Sequence, residues 1–511
     1  MPDSELLLPA AIAAPLVAGL LLVVSGRHVP VRLQALLALA GFAVPCVSAG
    51  LLWANFSALA DPATGYAATT TLPLGIASLG VSLALGVNGV SLPLFVLAAI
   101  VGFAAGLQAL QRDAPAHRHA YLGLLLFMLA GALGVFASVD IFFFHFFYEL
   151  ALVPAFILIL QWGGIGRRTA AIQMAVYLTI GAMLALAGAV LLVVKSGAGT
   201  FHLAALKTAL AAAPLAPAVS SWVFGLLLAG FGILAALFPF HSWAPSAYTE
   251  APAPVSMLHA GVLKTFGLYG LIQIAAPLAP AGLAAWAPWL FWLALGNVLI
   301  VGFAALGQRH LKELVAYASV AQTGLCFLGI YAISLGKPAV AGAANTAAAG
   351  AGAAVLLMFA HGLSVAALFA LTRYVSRRTH TLEIHENGGL AKRAPVLAAF
   401  FAAATMASIG LPGFANFWGE LGVLTALAKL PAWQIALAAA GVVLVAVYML
   451  RAFAAVFLGE ESEAVKKAAA DIREMNWAER LTVGLLLAAS LAVGFWPRLL
   501  SDSLNAALGG K

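Results

Sequence analysis

Charge is what this sequence has little of: Asp, Glu, Lys and Arg make up 8% of its 511 residues, while 64% are hydrophobic. An ordinary soluble domain carries roughly a quarter charged residues. The shortage excludes a soluble enzyme and predicts a polytopic membrane protein. Cysteine is scarcer still. Cys46 and Cys326 both lie in apolar runs, so there is no disulfide framework and no iron–sulfur or zinc spacing, and no cofactor is expected in the chain itself. The histidines offer no pair with ligand spacing on one helix face and a third ligand, so no metal is expected either. The first apolar stretch begins at Glu5 after an acidic start. It lacks the basic segment and small-residue cleavage site of a secretory signal, and reads as a retained membrane helix. Gly (50) and Pro (24) are abundant instead, and transmembrane helices tolerate both.

Apolar runs of about 20 residues fall near 5–25, 32–53, 89–110, 120–138, 141–161, 171–194, 219–238, 255–276, 285–307, 313–333, 345–373, 395–428, 433–457 and 478–497. They predict an all-α fold of fourteen spans with short connections, a single membrane domain over 1–511. The odd-numbered connections carry Arg27, Arg32, Arg112, Arg118, Arg167, Arg168, Arg309, Lys312, Arg373, Arg377, Arg378, Lys392, Arg393, Arg451, Lys466, Lys467, Arg473 and Arg480. The even-numbered ones carry only Lys195, Lys207, Lys337 and Lys429. By the positive-inside rule the former face the cytoplasm, which puts both termini on the opposite, periplasmic side of a bacterial inner membrane. The net charge of +7 is therefore a topology signal and implies no nucleic-acid partner. The segment 459–480, GEESEAVKKAAADIREMNWAER, reads as a solvated amphipathic helix on the cytoplasmic side.

Two spans are interrupted. ALFPFHSWAPSAYTEAPAPVS (236–256) holds four prolines, and MASIGLPGFANFWGEL (406–421) holds Leu411-Pro412-Gly413. Paired interruptions of this kind point to internal repeats with ion sites at mid-membrane. The expected arrangement is two five-helix inverted repeats, 120–276 and 285–457; the alternative is two helices that are simply kinked. Ionisable residues lie within apolar spans nearby. Glu149 sits inside FFFHFFYELALVPAFILILQWGG (142–164), and Lys264, His361 and Glu420 sit in later spans. An ionised group in hydrocarbon costs at least about 2.5 kcal/mol, so such residues are functional candidates by default. A structural role suits His361 better than Glu149 or Lys264, since a histidine can simply hydrogen-bond across helices. His241 and His259 are balanced between the two roles. Asp140 begins its span near the periplasmic face and reads as an interfacial or capping residue, with a role at the ion exit as the alternative.

LFPFHSWAPSAYTEAPAPVSMLHAGVLKTFGLYG, QRHLKELVAYASVAQTG, FAHGLSVAALFALTRYVSRRTHT and LPGFANFWGEL together resemble the antiporter-like subunits of respiratory complex I. Those subunits are in turn similar to multisubunit Na+/H+ antiporters and membrane-bound hydrogenases. FYELALVPAFILILQWGG and the HGLSVAALF block look most like the subunit M family of NADH:quinone oxidoreductase, as does Glu420 where the sibling subunits L and N usually carry lysine. The likeness runs from about 85 to 455. It implies a proton-translocating subunit of the membrane arm, coupled to quinone reduction elsewhere in the complex and flanked by L- and N-type neighbours. Flavin, iron–sulfur clusters and quinone would lie in those partners. It further implies proton transfer by Glu149, Lys264, His361 and Glu420, with His241 and His259 as auxiliaries. A subunit of a multisubunit cation/proton antiporter or of a membrane-bound hydrogenase, or a structural bridge between neighbouring pumps with an impaired first half-channel, are the alternatives.

The sequence departs from that pattern twice. GILAALFPFH has Leu234 where the family carries a lysine on the seventh span, and VAQTG has Gln322 where many relatives carry histidine. A buried carboxylate and a buried cation favour each other's charged form. With Glu149 lacking that lysine, the first half-channel is therefore expected to be weakened, rewired through Lys264 or His259, or silent.

Overall fold

The computed structural model describes residues 6–61, 64–76, 80–111, 117–336 and 343–509; Glu5, Arg112 and Lys337, used above, lie outside them. Helices α1 (Leu7–Ser25) and α2 (Val31–Leu59) are followed by an antiparallel hairpin, β1 (Ala67–Ile76) and β2 (Val81–Val87). Then come α3 (Ser91–Leu110), α4 (Arg118–Ala137), α5 (Ile141–Trp162), α6 (Arg167–Ser196) and the short α7 (Leu203–Ala212). The chain continues through α8 (Pro217–Leu234), α9 (Trp243–Glu250), α10 (Ala253–Leu278), α11 (Pro280–Leu306), α12 (Leu311–Ile333) and α13 (Ala343–Thr379). It ends with α14 (Pro395–Ser408), α15 (Ala415–Ala426), α16 (Ala432–Phe457), α17 (Glu463–Lys467), α18 (Trp477–Phe495) and α19 (Arg498–Leu508).

Among the described residues, 13 helices are long and apolar enough to cross a membrane. The remaining expected span, 395–428, is present as the two half-helices α14 and α15. Burial sorts the spans into layers. Long windows of α10 and α13 are entirely buried, whereas the rim helices α1, α2, α6 and α16 keep much of their surface open. Val24, Val47, Val194 and Val443 on that rim are each more than half exposed. Apolar residues facing outward in such numbers are a liability in water and the ordinary lining of a helix in lipid.

One end of the bundle gathers the basic loops. Gly164 N donates to Glu250 O, Lys312 Nζ donates to Thr249 O (2.7 Å), and Ile384 N donates to Arg309 O. The α5–α6, α9–α10, α11–α12 and α13–α14 connections therefore share one face. The opposite face carries the hairpin, tied down by Val139 N to Ala84 O and Phe201 N to Gly80 O. Asp140 caps α5, accepting from Phe142 N (2.8 Å) and Phe143 N, and its other oxygen accepts from Ser82 N of β2. Its capping role thus extends to pinning the hairpin.

Both interruptions are real breaks. α8 stops at Leu234 and the chain restarts as α9 at Trp243; α14 stops at Ser408 and restarts as α15 at Ala415. Backbone outside a helix at membrane depth must be satisfied by protein, and buried amides do this. At the first break, Phe238 N donates to Asn297 Oδ1 (2.6 Å), while Asn297 Nδ2 donates to Ala236 O and Val320 O. Trp243 Nε1 takes Ile233 O. At the second, Gln322 Nε2 donates to Ser408 O (2.6 Å).

Three features differ from expectation. Residues 459–480 are not a continuous helix: Glu463–Lys467 forms one short turn of helix, and Asn476 and Glu479 then form a capping box that opens α18 at Trp477. The helical residues at the end of that segment therefore belong to the last span. The hairpin and the two short helices α7 and α19 were not expected from hydropathy, since none is long enough to register in a window of membrane length.

Candidate functional site

Lys264 lies in α10, where the helix widens into a π turn at His259–Leu263 and again at Leu271–Ala275. Such wider turns mark functional sites more often than ordinary helix does. The Lys264 side chain is buried, with Nζ donating to Ser319 O (2.7 Å) and to Ser319 Oγ, and lying 3.3 Å from His361 Nε2. Ser319 Oγ is 3.1 Å from the same imidazole nitrogen. Three helices thus contribute one group each: α10 the ammonium, α12 the hydroxyl, α13 the imidazole. All three are enclosed within the bundle.

One turn further along α12, Gln322 Nε2 sends its second hydrogen to Glu420 Oε1 (3.2 Å). Glu420 is buried in α15 against the break. Gly410 in that break has φ +73°, and a Cβ there would lie 2.3 Å from Glu420 Oε2. The carboxylate therefore rests directly on backbone that only glycine can supply without strain. Thr323 Oγ1 donates to Ser319 O (2.8 Å), so α12 is lined with polar groups between the lysine and the glutamate.

On the basic face a cavity of about 420 Å³ opens between helices, with Gln108, Glu250, His310, Lys312 and Arg373 among its lining residues. Inward from it lie Tyr248 and His259, both buried, with ring centroids 5.3 Å apart. Among the described residues, neither the Tyr248 hydroxyl nor either His259 ring nitrogen has a hydrogen-bond partner on another residue. Lys264 N bonds to His259 O, one π turn on. His241 stacks on Phe238 within the first break, at 5.6 Å.

The sequence profile of the NADH:quinone oxidoreductase/Mrp antiporter transmembrane family matches residues 138–446. The chain belongs to this family. NAD(P)H-quinone oxidoreductase chain 4 1 of Picosynechococcus sp. is 36% identical over 437 residues, covering 84% of this chain and 78% of that protein. The corresponding chain 4 of Gloeobacter violaceus is 32% identical over 432 residues, 83% and 78%. A chain of respiratory complex I from Thermus thermophilus superposes with a TM-score of 0.83 at 30% identity, covering 98% of both chains. The Mrp complex of Dietzia sp. shares the fold, with a TM-score of 0.80 at 21% identity over 100% of this chain and 97% of that one. The chain is thus an antiporter-like membrane subunit of the complex I type.

Against that family pattern, the structure brings together Lys264 with His361, and Glu420 with Gln322. Glu149 stands apart, more than a third exposed on the outer stripe of α5 with Phe142, Phe146 and Val153. Leu234 is buried at the end of α8 and lines a small cavity with Phe231, Ala185, Tyr148 and His145. His145 is the group that sequence reasoning missed: its Nε2 lies 4.0 Å from Glu149 Oε1. The signal was present in FHFFYE, a histidine and a glutamate four residues apart on one helix face.

Proposed function

We propose that this protein is a proton-translocating, non-redox subunit of the membrane arm of a quinone-reducing complex of the NADH:quinone oxidoreductase type. Its partners are L- and N-like antiporter subunits, and flavin, iron–sulfur clusters and quinone belong to other chains. The membrane is a bacterial inner membrane, with the basic face cytoplasmic and both termini periplasmic. The observation that carries the reading is the buried Lys264–Ser319–His361 cluster, one turn of α12 away from the buried Gln322–Glu420 pair. Desolvation draws an ammonium and a carboxylate toward their neutral forms while a nearby opposite charge draws them back. A row of groups held between these tendencies loads and passes protons as the surrounding field changes. Uptake runs from the basic-face cavity past Tyr248 and His259 to Lys264, through Ser319 and His361 to Glu420, and out at the opposite face. Gln322 orders Glu420 but cannot carry the proton itself, since an amide does not titrate.

The half-helices also support the two inverted repeats, 120–276 and 285–457. α8 and α9 run toward the basic face and α14 and α15 run away from it, so the two breaks are traversed in opposite senses. A second reading, a structural bridge between pumps, draws on Leu234 standing where the family pattern has lysine.

Protons pumped per electron in membrane vesicles, compared for Glu420→Gln and Glu149→Gln at matched electron-transfer rates, decide between them. Loss in Glu420→Gln is expected. Wild-type ratios in both variants would leave the bridge. Co-purification of flavin and iron–sulfur absorbance separates a redox complex from an antiporter driven by ion gradients alone.

A further inference from the structure

We infer that His145 is the proton-exchanging partner of Glu149, so that this subunit carries within α5 a pair that the family pattern builds between two helices. The inference rests on the proton-translocation reading above and deepens it.

Three observations carry it. His145 Nε2 and Glu149 Oε1 are 4.0 Å apart, one helical turn on the same helix. The imidazole lines the same cavity as Leu234, which stands on α8 where the family pattern has lysine. That cavity has about 20 Å³ of space and walls that are mostly apolar. Third, the local sequence gives packing no reason for a histidine. Residues 142, 143, 144, 146 and 147 are all phenylalanine, and the neighbours across the cavity, Phe231, Leu234, Ala182 and Ala185, are apolar. A sixth phenylalanine or a leucine would fill that wall without the cost of burying a polar ring.

The step is a proton transfer that balances within the pair. The Glu149 carboxyl gives its proton to the free imidazole nitrogen, leaving carboxylate and imidazolium; the reverse transfer restores acid and neutral ring. The pair's net charge is the same before and after. At 4.0 Å the two atoms are an ion-pair distance apart, beyond the usual hydrogen-bond range, and a side-chain rotation closes the gap. His145 lines the cavity and Glu149 lies on the exposed stripe, so the transfer from Glu149 to His145 carries a proton inward across α5 and the reverse transfer carries it toward the outer face.

The test is protons pumped per electron in vesicles carrying the intact complex, with electron-transfer rate and assembly on native gels measured in parallel. The variants are His145→Gln, His145→Lys, Glu149→Gln and the double His145→Gln/Glu149→Gln, with Glu420→Gln alongside. His145→Gln keeps a polar side chain that cannot titrate and is expected to lower the ratio as far as Glu149→Gln does. The double variant should fall no further, and His145→Lys, which keeps a base one turn from Glu149, should retain most of the ratio. Wild-type pumping in His145→Gln beside a loss in Glu420→Gln would overturn the pair and leave the pump reading standing. Additive losses in the double variant would also overturn it, by showing separate roles. An unchanged ratio in Glu420→Gln would bring down the pump reading, and this inference with it.

Discussion

Asn297 shows how much a single buried side chain holds at mid-membrane. Its amide takes Phe238 N–H and supplies both hydrogens to the carbonyls of Ala236 and Val320. Ala236 sits at φ +58°, a conformation uncommon for a residue with a Cβ, so this turn persists only where its surroundings over-determine it. Replacing Asn297 by Leu leaves Phe238 N–H and Ala236 O, both in the break, without these bonds, whereas Val320 O remains within the α12 helix. Each buried unsatisfied group costs about 1–3 kcal/mol. The expected outcome is a large drop in the thermal stability of the subunit within the complex, read as loss of assembled protein on heating. Lys392→Ala removes only the exposed pair with Glu460 and should shift it barely, since surface pairs are worth about 0–1 kcal/mol. Equal effects of the two substitutions would mean that the break is held by something other than this amide.

At the scale of elements, the breaks were legible because proline and glycine write directly on backbone geometry. What fills them was not. Ser319 reaches Lys264 from 55 residues away, and Gln322 reaches Glu420 from 98; pairings at such separations are set by how helices pack, which periodicity does not encode. His145 was legible in principle, because its partner is four residues along the same helix. An imidazole is not a permanent cation, so it does not stand out as a replacement for the missing lysine. The misread segment 459–480 failed for a different reason. Asn476 with Glu479 three residues later is a helix start signal that outranks the amphipathic run before it. The second break also makes a prediction. Gly410→Ala places a methyl group against the Glu420 carboxylate on a left-handed backbone that costs about 1–2 kcal/mol for an L-residue. Glu420 must swing away from Gln322, so pumping per electron should fall toward the Glu420→Gln level even where assembly is retained. An unaltered ratio in assembled complex would separate the position of Glu420 from its role.

For the whole molecule the question is what holds the last spans against the buried core once the polar row is assembled. α13 lies at the centre, and its basic end is fastened to α18 by one buried charge pair. Arg378 Nη2 donates to Glu479 Oε2 (2.7 Å), and further N–H groups of the same guanidinium reach the carbonyls of Tyr374, Arg473 and Glu474. Glu479 in turn accepts from Asn476 N (3.0 Å), closing the capping box of α18. Both side chains are less than a tenth exposed. Hence not every basic residue that reports topology is solvated: Arg378 works as a structural clasp. Removing one member strands the other's charge, which typically costs about 3–5 kcal/mol. Arg378→Ala should therefore loosen α18 and α19 from α13, giving faster proteolysis or hydrogen exchange across 460–509 than in wild type. Removing both members, as Arg378→Met with Glu479→Leu, should recover much of that protection, because a packed apolar pair carries no desolvation penalty. If the single variant exchanged no faster than wild type, the attachment of the C-terminal spans would rest on their apolar faces alone.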